Sequence, residues 1–527
     1  MSGRQTLNPQ YWTDSLQITD ADLETLFSVM LEHEQPLSSR ELIERFVAYR
    51  IRQEEEAWRK RLAEGTLFQP KDKFKKGQTL VFSALDFATG KVTGLRPGSS
   101  PEYGEFTVIE VEFEDGVRRE FASELPGDHA LNLGEDQPVI EQVLAPVDAG
   151  QIVAKYGRRI GRMIEERFGQ EPDVAYATGQ WFLKSLMPEI GVGHINLAEA
   201  VLDMNGGGPV APEDILAVLD LPHEILPSLQ AFALNYALYQ DNRFDEVGPA
   251  GLVRWYLRRM EPAEVQTTPE RLVYDPIPYN SDLLSEDALT LEGEIGDEFS
   301  PLDEPEDEPD EVTLTLIYPH RRSGTLPLTV ELSSMFPTAL EASRILITLV
   351  DAENGEEYEG WVVRQGRYVV GLDRYYRTHK LPVGAFVKIT RTDEPGRFII
   401  GFDSHRPRTE WIRLIIPQNG RVTFENQRRL IGAGYDDLMV LGTDDLEKVD
   451  EIWRKTRQQK RGLVEIIREL LPELARLNPQ NAVHAKTIYS AVNAVRRCPP
   501  GPILVALEAQ PEFEAVGGHY WRYSREG

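Results

Sequence analysis

The stretch A-L-Y-Q-D-N-R-F-D-E-V-G at 237–248 returns far along the chain as A-L-E-A-Q-P-E-F-E-A-V-G at 506–517. Ala237, Leu238, Phe244, Val247 and Gly248 in one copy correspond to Ala506, Leu507, Phe513, Val516 and Gly517 in the other. Trp255 follows the first and Trp521 the second. In each copy the apolar spacing changes from a helical period to the period of two of a short aromatic strand. The pair therefore marks a unit used at least twice.

A helix passing directly into an aromatic hairpin reads as the third helix and wing of a winged helix-turn-helix. A second, upstream pattern supports that reading. P-L-S-S-R-E-L-I at 36–43, P-V-A-P-E-D-I-L at 209–216 and A-V-H-A-K-T-I-Y at 482–489 each place an apolar residue before a cap-like stretch and a helix start. Three helix-turn-helix-like units are expected. In the first, Thr19-Asp20 caps a helix over Ala21 to Glu34, and Ser39 caps the second helix. A third helical stretch runs to about Glu64, and the basic turn Lys71, Lys73, Lys75 and Lys76 follows in the place of a wing or a solubilising hairpin.

The 527 residues exceed a single core and imply roughly three to five domains. The expected class is α+β multidomain, with winged-helix units combined with a small β-barrel and a β pseudobarrel. The expected domains are a helical, winged-helix-like unit over 1–65 and a small β-barrel over 66–125. A helical and winged-helix domain over 145–275 and an acidic disordered tether over 276–312 come next. A pseudobarrel over 313–435 and a helix plus C-terminal winged helix over 445–527 complete the chain. The barrel reading rests on period-two runs near 78–82, 91–95, 106–113 and 117–121, with turns at Gly90, Pro97-Gly98 and Asp115-Gly116.

Charge is uneven. The chain carries a formal −29, yet residues 281–312 alone hold 14 carboxylates and no Lys or Arg. Residues 313–430 hold 17 basic against 13 acidic side chains, and 451–497 hold 10 against 4. An acidic front and a self-repelling tether thus precede a mildly basic rear, where phosphate backbones would be drawn. The tether is also expected to compete for those basic faces. No run approaches the roughly 18 apolar residues of a membrane span, and the first twenty residues lack a signal-peptide pattern. One cysteine, Cys498, permits neither an internal disulfide nor a cysteine-rich zinc site, so the cytoplasm is the expected compartment.

The segment Leu463 to Tyr523 resembles the HARE-type winged helix, through Ile488, Leu507, Phe513, Gly517 and Trp521. That family includes the delta subunit of bacterial RNA polymerase and modules fused to restriction and chromatin proteins. Residues 313–408 resemble the DNA-binding pseudobarrel of plant transcription factors. The match runs through Thr325 to Leu328, Pro337, Ile345 to Val350, Asp351 to Gly355 and Arg367-Tyr368-Val369. It continues through Gly371, Tyr375, Tyr376, Leu381, Gly384, Phe386 to Arg391, Phe398 to Ile400, Arg406 and Arg408. By that resemblance, His320-Arg321-Arg322 and Arg364 to Arg367 fall on the loops that grip the major groove.

Cations on the face that meets phosphate are what DNA binding requires. The candidate set is Arg321, Arg322, Arg364, Arg367, Arg374, Arg377, Lys380, Arg406 and Arg408 in the pseudobarrel. Arg454, Lys455, Arg457, Lys460 and Arg461 join them on the helix over 446–461. Both groups have a solvated-surface alternative. The third helices around Ala237 and Ala506 hold no Lys or Arg between 222 and 242 or between 499 and 510, so protein contact or a structural role is expected there. A helix over Val153 to Arg167 carries Lys155, Arg158, Arg159 and Arg162, with an intramolecular or partner salt-bridge face as its default reading.

Enzyme signatures are thin. Gly206-Gly207-Gly208 lacks the following lysine of a phosphate loop. The histidines are scattered without ligand spacing. The acids Glu110, Glu112 and Glu114 fall at period two on one face of a strand. No cofactor, metal or catalytic residue is expected. The expected function is a non-enzymatic DNA-binding or transcription-associated factor with DNA and possible RNA polymerase partners and no membrane partner. The alternative is a protein-interaction scaffold, for polymerase or a defence complex, that never touches DNA.

Overall fold

The computed structural model describes residues 5–85, 87–126, 129, 131–132, 147–222, 224–303, 305, 308–336 and 342–524. Two compact units divide the chain: 1–188 with 224–229, and 189–223 with 230–527. The division falls inside the domain expected over 145–275.

In the first unit, α1 (Asp20–His33) begins with a capping box in which the Thr19 N–H donates to Asp22 Oδ2 at 2.7 Å. After β1 (Leu37–Ser38) comes α2 (Ser39–Ala63), one unbroken helix of 25 residues. Ser38, rather than Ser39, caps it: the Ser38 N–H donates to Glu41 Oε2 at 2.8 Å and the Glu41 N–H to Ser38 Oγ at 3.2 Å. The break expected inside 39–64 is absent, because strong helix formers fill the stretch without a glycine or proline.

The chain then enters a five-stranded sheet in the order β2-β3-β4-β5-β6: β2 (Thr66–Leu67), β3 (Thr79–Phe82), β4 (Ala88–Ser100), β5 (Gly104–Phe113) and β6 (Arg118–Ser123). Phe68, Phe74, Phe82 and Phe113 bury their rings in its core. Backbone bonds from Glu124 to Asp72 and from Leu125 to Pro70 tie the end of β6 back to the segment after β2. Lys71 to Lys76 lie in the β2–β3 connection, and Lys73 pairs with Glu124 at 2.8 Å, so they form no wing.

Beyond the sheet, α3 (Ala149–Phe168) is capped by Asp148, which accepts from the Gln151 N–H. Gly157 and Gly161 let it approach α2, where a Cβ on Gly161 would stand 3.0 Å from Ile43 Cδ1. The hairpin of β7 (Val174–Ala177) and β8 (Gln180–Leu183) follows, and β1 joins it in the order β1-β8-β7. Among the described residues the first unit is thus three helices and a hairpin, with the five-stranded sheet inserted between α2 and α3.

The second unit repeats that order twice. α4 (Val192–Met204), α5 (Pro212–Leu216), α6 (Pro227–Gln240), β9 (Phe244–Glu246) and β10 (Trp255–Leu257) form one copy, with Val210 bridging to Trp255 as its first strand. The other copy closes the chain.

Between the copies stands α7 (Glu286–Ile295), then a seven-stranded, nearly closed barrel-like sheet. Its order is β11-β16-β17-β13-β14-β15-β12. The strands are β11 (Glu311–Thr315), β12 (Thr325–Pro327), β13 (Arg344–Asp351), β14 (Glu357–Val363), β15 (Tyr368–Val370), β16 (Phe386–Arg391) and β17 (Arg397–Phe402). Short helices α8 (Tyr318–Ser323), α9 (Val330–Met335) and α10 (Asp373–Thr378) decorate it. Pro337 of the expected pattern lies outside the described residues.

A separate three-stranded sheet, order β19-β18-β20, follows: β18 (Ser404–Gln418), β19 (Arg421–Ala433) and β20 (Leu441–Gly442). Arg406 and Arg408 belong to β18 of this sheet rather than to the seven-stranded one. Next come α11 (Leu446–Gln458), α12 (Leu463–Ala475), β21 (Val483–His484), α13 (Ala485–Val495), α14 (Pro500–Ala509), β22 (Phe513–Gly517) and β23 (Tyr520–Tyr523).

The three upstream motifs align in space as they do in sequence. Leu37 pairs with Trp181, Val210 with Trp255 and Val483 with Trp521, each time with the last strand in the centre. The motif glycines differ in their reasons. A Cβ on Gly248 would meet the Leu252 carbonyl oxygen at 1.7 Å, whereas Gly517 is uncrowded but sits at φ +97°. Gly248→Ala is therefore expected to lower stability by about 3 kcal/mol and Gly517→Ala by about 1 kcal/mol, read by denaturant unfolding.

The stretch over 276–312, expected as a disordered tether, is instead folded through its described part. Ser285 caps α7, whose Ala288 and Leu291 are buried. Asp297 and Glu298 are buried against Arg497 Nη2, each at 2.6 Å. Local carboxylate density reads as repulsion, but the neutralising guanidinium arrives from two hundred residues away. Glu304, Glu306 and Asp307 lie outside the described residues.

His484 caps α13 by accepting the Lys486 N–H on Nδ1 at 3.1 Å. Burial, His519 and Lys486 push its pKa down to about 4. The unfolded chain thus binds a proton below about 6.5 that the folded chain refuses. The contribution of His484 is complete above that pH and is lost as pH falls towards 4. His484→Asn, which keeps a cap acceptor, should flatten the pH dependence of unfolding in that window.

Candidate nucleic-acid interface

Four cations stand on the third helix of the first unit. Lys155, Arg158, Arg159 and Arg162 follow one another at i, i+3, i+4 and i+7 along α3, and all four are exposed. The opposite face, Ile152, Gly157, Ile160, Gly161 and Ile164, is buried. Apolar periodicity therefore fixes which way the cations face. Among the described residues no ion pair includes any of the four; Lys155 touches only the ring of Tyr156, at 5.4 Å. Like charges at this spacing repel by about 0.2–0.5 kcal/mol per pair. The intramolecular form of the salt-bridge face expected here is thus not formed among the described residues.

The third helices of the other two copies differ. α6 carries no Lys or Arg. α14 has Pro500 to Leu507 buried within its own unit. A helix enclosed in that way presents no face to a groove.

The cations singled out in the rear are mostly engaged by the protein itself. Arg321 donates to the Leu381 carbonyl at 2.7 Å and stacks on Tyr376, while Arg322 pairs with Asp450 at 2.8 Å. Arg364 donates to the Phe336 carbonyl, and Arg367 to that of Glu298 at 2.8 Å. Arg374 pairs with Glu356, Arg377 with Asp373, Arg454 with Glu270, and Arg461 with Glu465 and Glu469. Arg457 stands 3.8 Å from Asp275. Lys380, Arg406, Arg408, Lys455 and Lys460 are exposed and enter no ion pair among the described residues.

Two clusters emerge. A cleft of about 470 Å³ gathers Arg321, Arg322, Arg377 and Lys380 with Arg429, which the sequence reading missed. A second cavity gathers Arg457 and Lys460 with Arg496, also missed. Neither arginine stood out because each arrives from a different element. Arg406 and Arg408 join neither cluster.

Among the described residues no group of three or more His, Cys, Asp and Glu side chains is arranged to hold a metal ion. No helix among them is long and apolar enough to cross a membrane. Cys498 is wholly buried, and burial pushes its thiol up to about 12. Comparison of the chain with protein-family models, with curated proteins and with solved structures returned no match.

Proposed function

We propose that this protein is a non-enzymatic DNA-binding, transcription-associated factor. It is built from three winged-helix copies, of which the first contacts duplex DNA through α3. One observation carries the reading: a stripe of four exposed cations, in no ion pair among the described residues, lies on the third helix of one copy, and the equivalent helices lack it. The recurring order of three helices and a hairpin, with the Leu37, Val210 and Val483 pairings, supports the winged-helix assignment. The charge of the stripe matches a phosphate backbone, and arginine matches the acceptor pairs of guanine in the major groove.

The second and third copies make protein contacts or serve the core. The seven-stranded sheet is the pseudobarrel of this scheme; secondary phosphate contacts come from Lys380 beside it and from the exposed Arg406 and Arg408 on β18 of the three-stranded sheet that follows. A scaffold contacting polymerase through α6 is the second reading, favoured by the absence of cations on that helix.

Fluorescence anisotropy of the full chain against a generic duplex, between about 50 and 200 mM salt, tests the proposal. Binding should weaken steeply across that range. Absence of binding at the low end would move the assignment to the scaffold.

A further inference from the structure

We infer that the cavity between the C-terminal end of α11 and the turn after α13 is a binding site for a phosphate-class anion. It lies in the second compact unit and does not rest on the DNA contact proposed for α3. The cavity measures about 360 Å³. Arg457 and Lys460 come to it from α11 and the turn that ends it, and Arg496 from the end of α13. Asp275 is the one carboxylate on its wall, and its side chain is 69% exposed. At 3.8 Å from Arg457 Nε it is too far for a hydrogen bond.

Three details show groups held in place with capacity left over. Arg496 Nη1 donates to the Arg461 carbonyl at 2.5 Å, which fixes the guanidinium without neutralising it. Lys460 adopts φ +49°, a left-handed backbone that a lysine rarely takes, and among the described residues it enters no ion pair. Arg497, with a wholly buried side chain, forms part of the same wall. Its Nη2 is committed to Asp297 and Glu298, and among the described residues its Nε has no hydrogen-bond partner. A buried donor left unpaired is unfavourable.

The chemistry selects the ligand. Two guanidinium groups and one ammonium group around a single volume suit an anion with several equivalent oxygens and more than one charge. A phosphate monoester meets that description, and a single carboxylate uses only part of it. Trp453, Val273 and Val495 supply an apolar wall for the organic part of such an ester. The same phosphoryl chemistry is offered by a small phosphorylated molecule and by a nucleic-acid backbone.

The test is calorimetric titration of the full chain with inorganic phosphate and with a nucleoside monophosphate. Saturable one-site binding is expected. Arg457→Ala and Lys460→Ala should each weaken it about tenfold, the size of one charge-assisted hydrogen bond. Both side chains are exposed, so an unchanged melting curve verifies that the variants fold. Displacement of the bound phosphate by a duplex oligonucleotide assigns the site to a backbone phosphate, and persistence assigns it to a free ester. No saturable uptake, or uptake indifferent to both substitutions, overturns the inference. α3 charge reversal, which bears on the DNA reading, should leave phosphate binding unchanged.

Discussion

Arg497→Met is expected to cost about 3–5 kcal/mol of stability, because it strands two buried carboxylates without their cation. Arg497 Nη2 lies 2.6 Å from both Asp297 and Glu298, and all three side chains are essentially inaccessible to water. Around them Tyr489 Oη donates to Asp297 at 2.5 Å, and the His320 ring bonds Glu298 at 3.1 Å and Thr325 at 2.9 Å. Phe299 lies between two guanidinium groups, with Arg497 at 5.1 Å and Arg367 at 5.6 Å from its ring. The network ties the acidic stretch to the seven-stranded sheet and to the C-terminal copy, so its loss should be felt across the second unit.

The sign of the Glu298 contribution to its pH dependence provides a second readout, distinct from that of Asp297, whose pKa burial raises despite Arg497. Burial opposes ionisation of Glu298, but Arg497 and His320 together outweigh it and hold the carboxyl at about 2. The unfolded chain takes up that proton near the ordinary glutamate value of about 4.3. The contribution of Glu298 is therefore complete above that value and is lost as pH falls towards 2. Without Arg497 burial is left to dominate, the folded pKa rises, and stability should decline as pH increases instead. Asp297→Asn and Glu298→Gln combined with Arg497→Met should recover much of the loss, since no unpaired charge remains. Chemical denaturation across pH separates these outcomes; equal melting of Arg497→Met and the parent would show the network to be dispensable.

What the sequence disclosed followed the range of the interactions. Helix starts, the turns of the small sheet and the repeat at 36–43, 209–216 and 482–489 are local patterns, and the structure aligns them on Leu37, Val210 and Val483. The first unit was misread because an entire sheet separates α2 from α3. With a plausible helical stretch and a basic turn directly downstream, nothing local called for a partner beyond residue 145. The Gly157 and Gly161 face was the available signal, since two small residues four apart on one helix permit close approach to another. The tether failed for the complementary reason: charge density is a local measure, and Arg497 is not local to Glu298. The engagement of the candidate cations is hidden from the sequence on the same ground. Composition counts Arg321 and Arg367 as basic surface, whereas the fold uses their donors to satisfy the carbonyls of Leu381 and Glu298.

Arg158→Glu combined with Arg162→Glu is expected to abolish duplex binding at moderate salt while leaving the melting curve unchanged. The four cations of α3 span about two helical turns, roughly 10 Å, which is enough to meet successive phosphates along one groove wall. If each releases one counterion, the logarithm of affinity falls with the logarithm of salt at a slope of about −3.6. Affinity then drops about a hundredfold between 50 and 200 mM. Reversing two charges removes two attractions and adds two repulsions, so at least that factor should be lost at fixed salt, and the residual slope should fall by about two. Both residues are exposed and outside every ion pair among the described residues, so exchange costs the fold little. Charge reversal at Arg321 and Arg367 makes the contrast: their donors hold backbone carbonyls, so those variants should lose stability before they lose affinity. A protein that bound duplex equally well after reversal of α3, and lost it with exchange at Lys380, Arg406 and Arg408, would place the contact in the rear half instead. Separate anisotropy series on the two variant sets, each with a melting curve, decide between the front helix and the rear sheets.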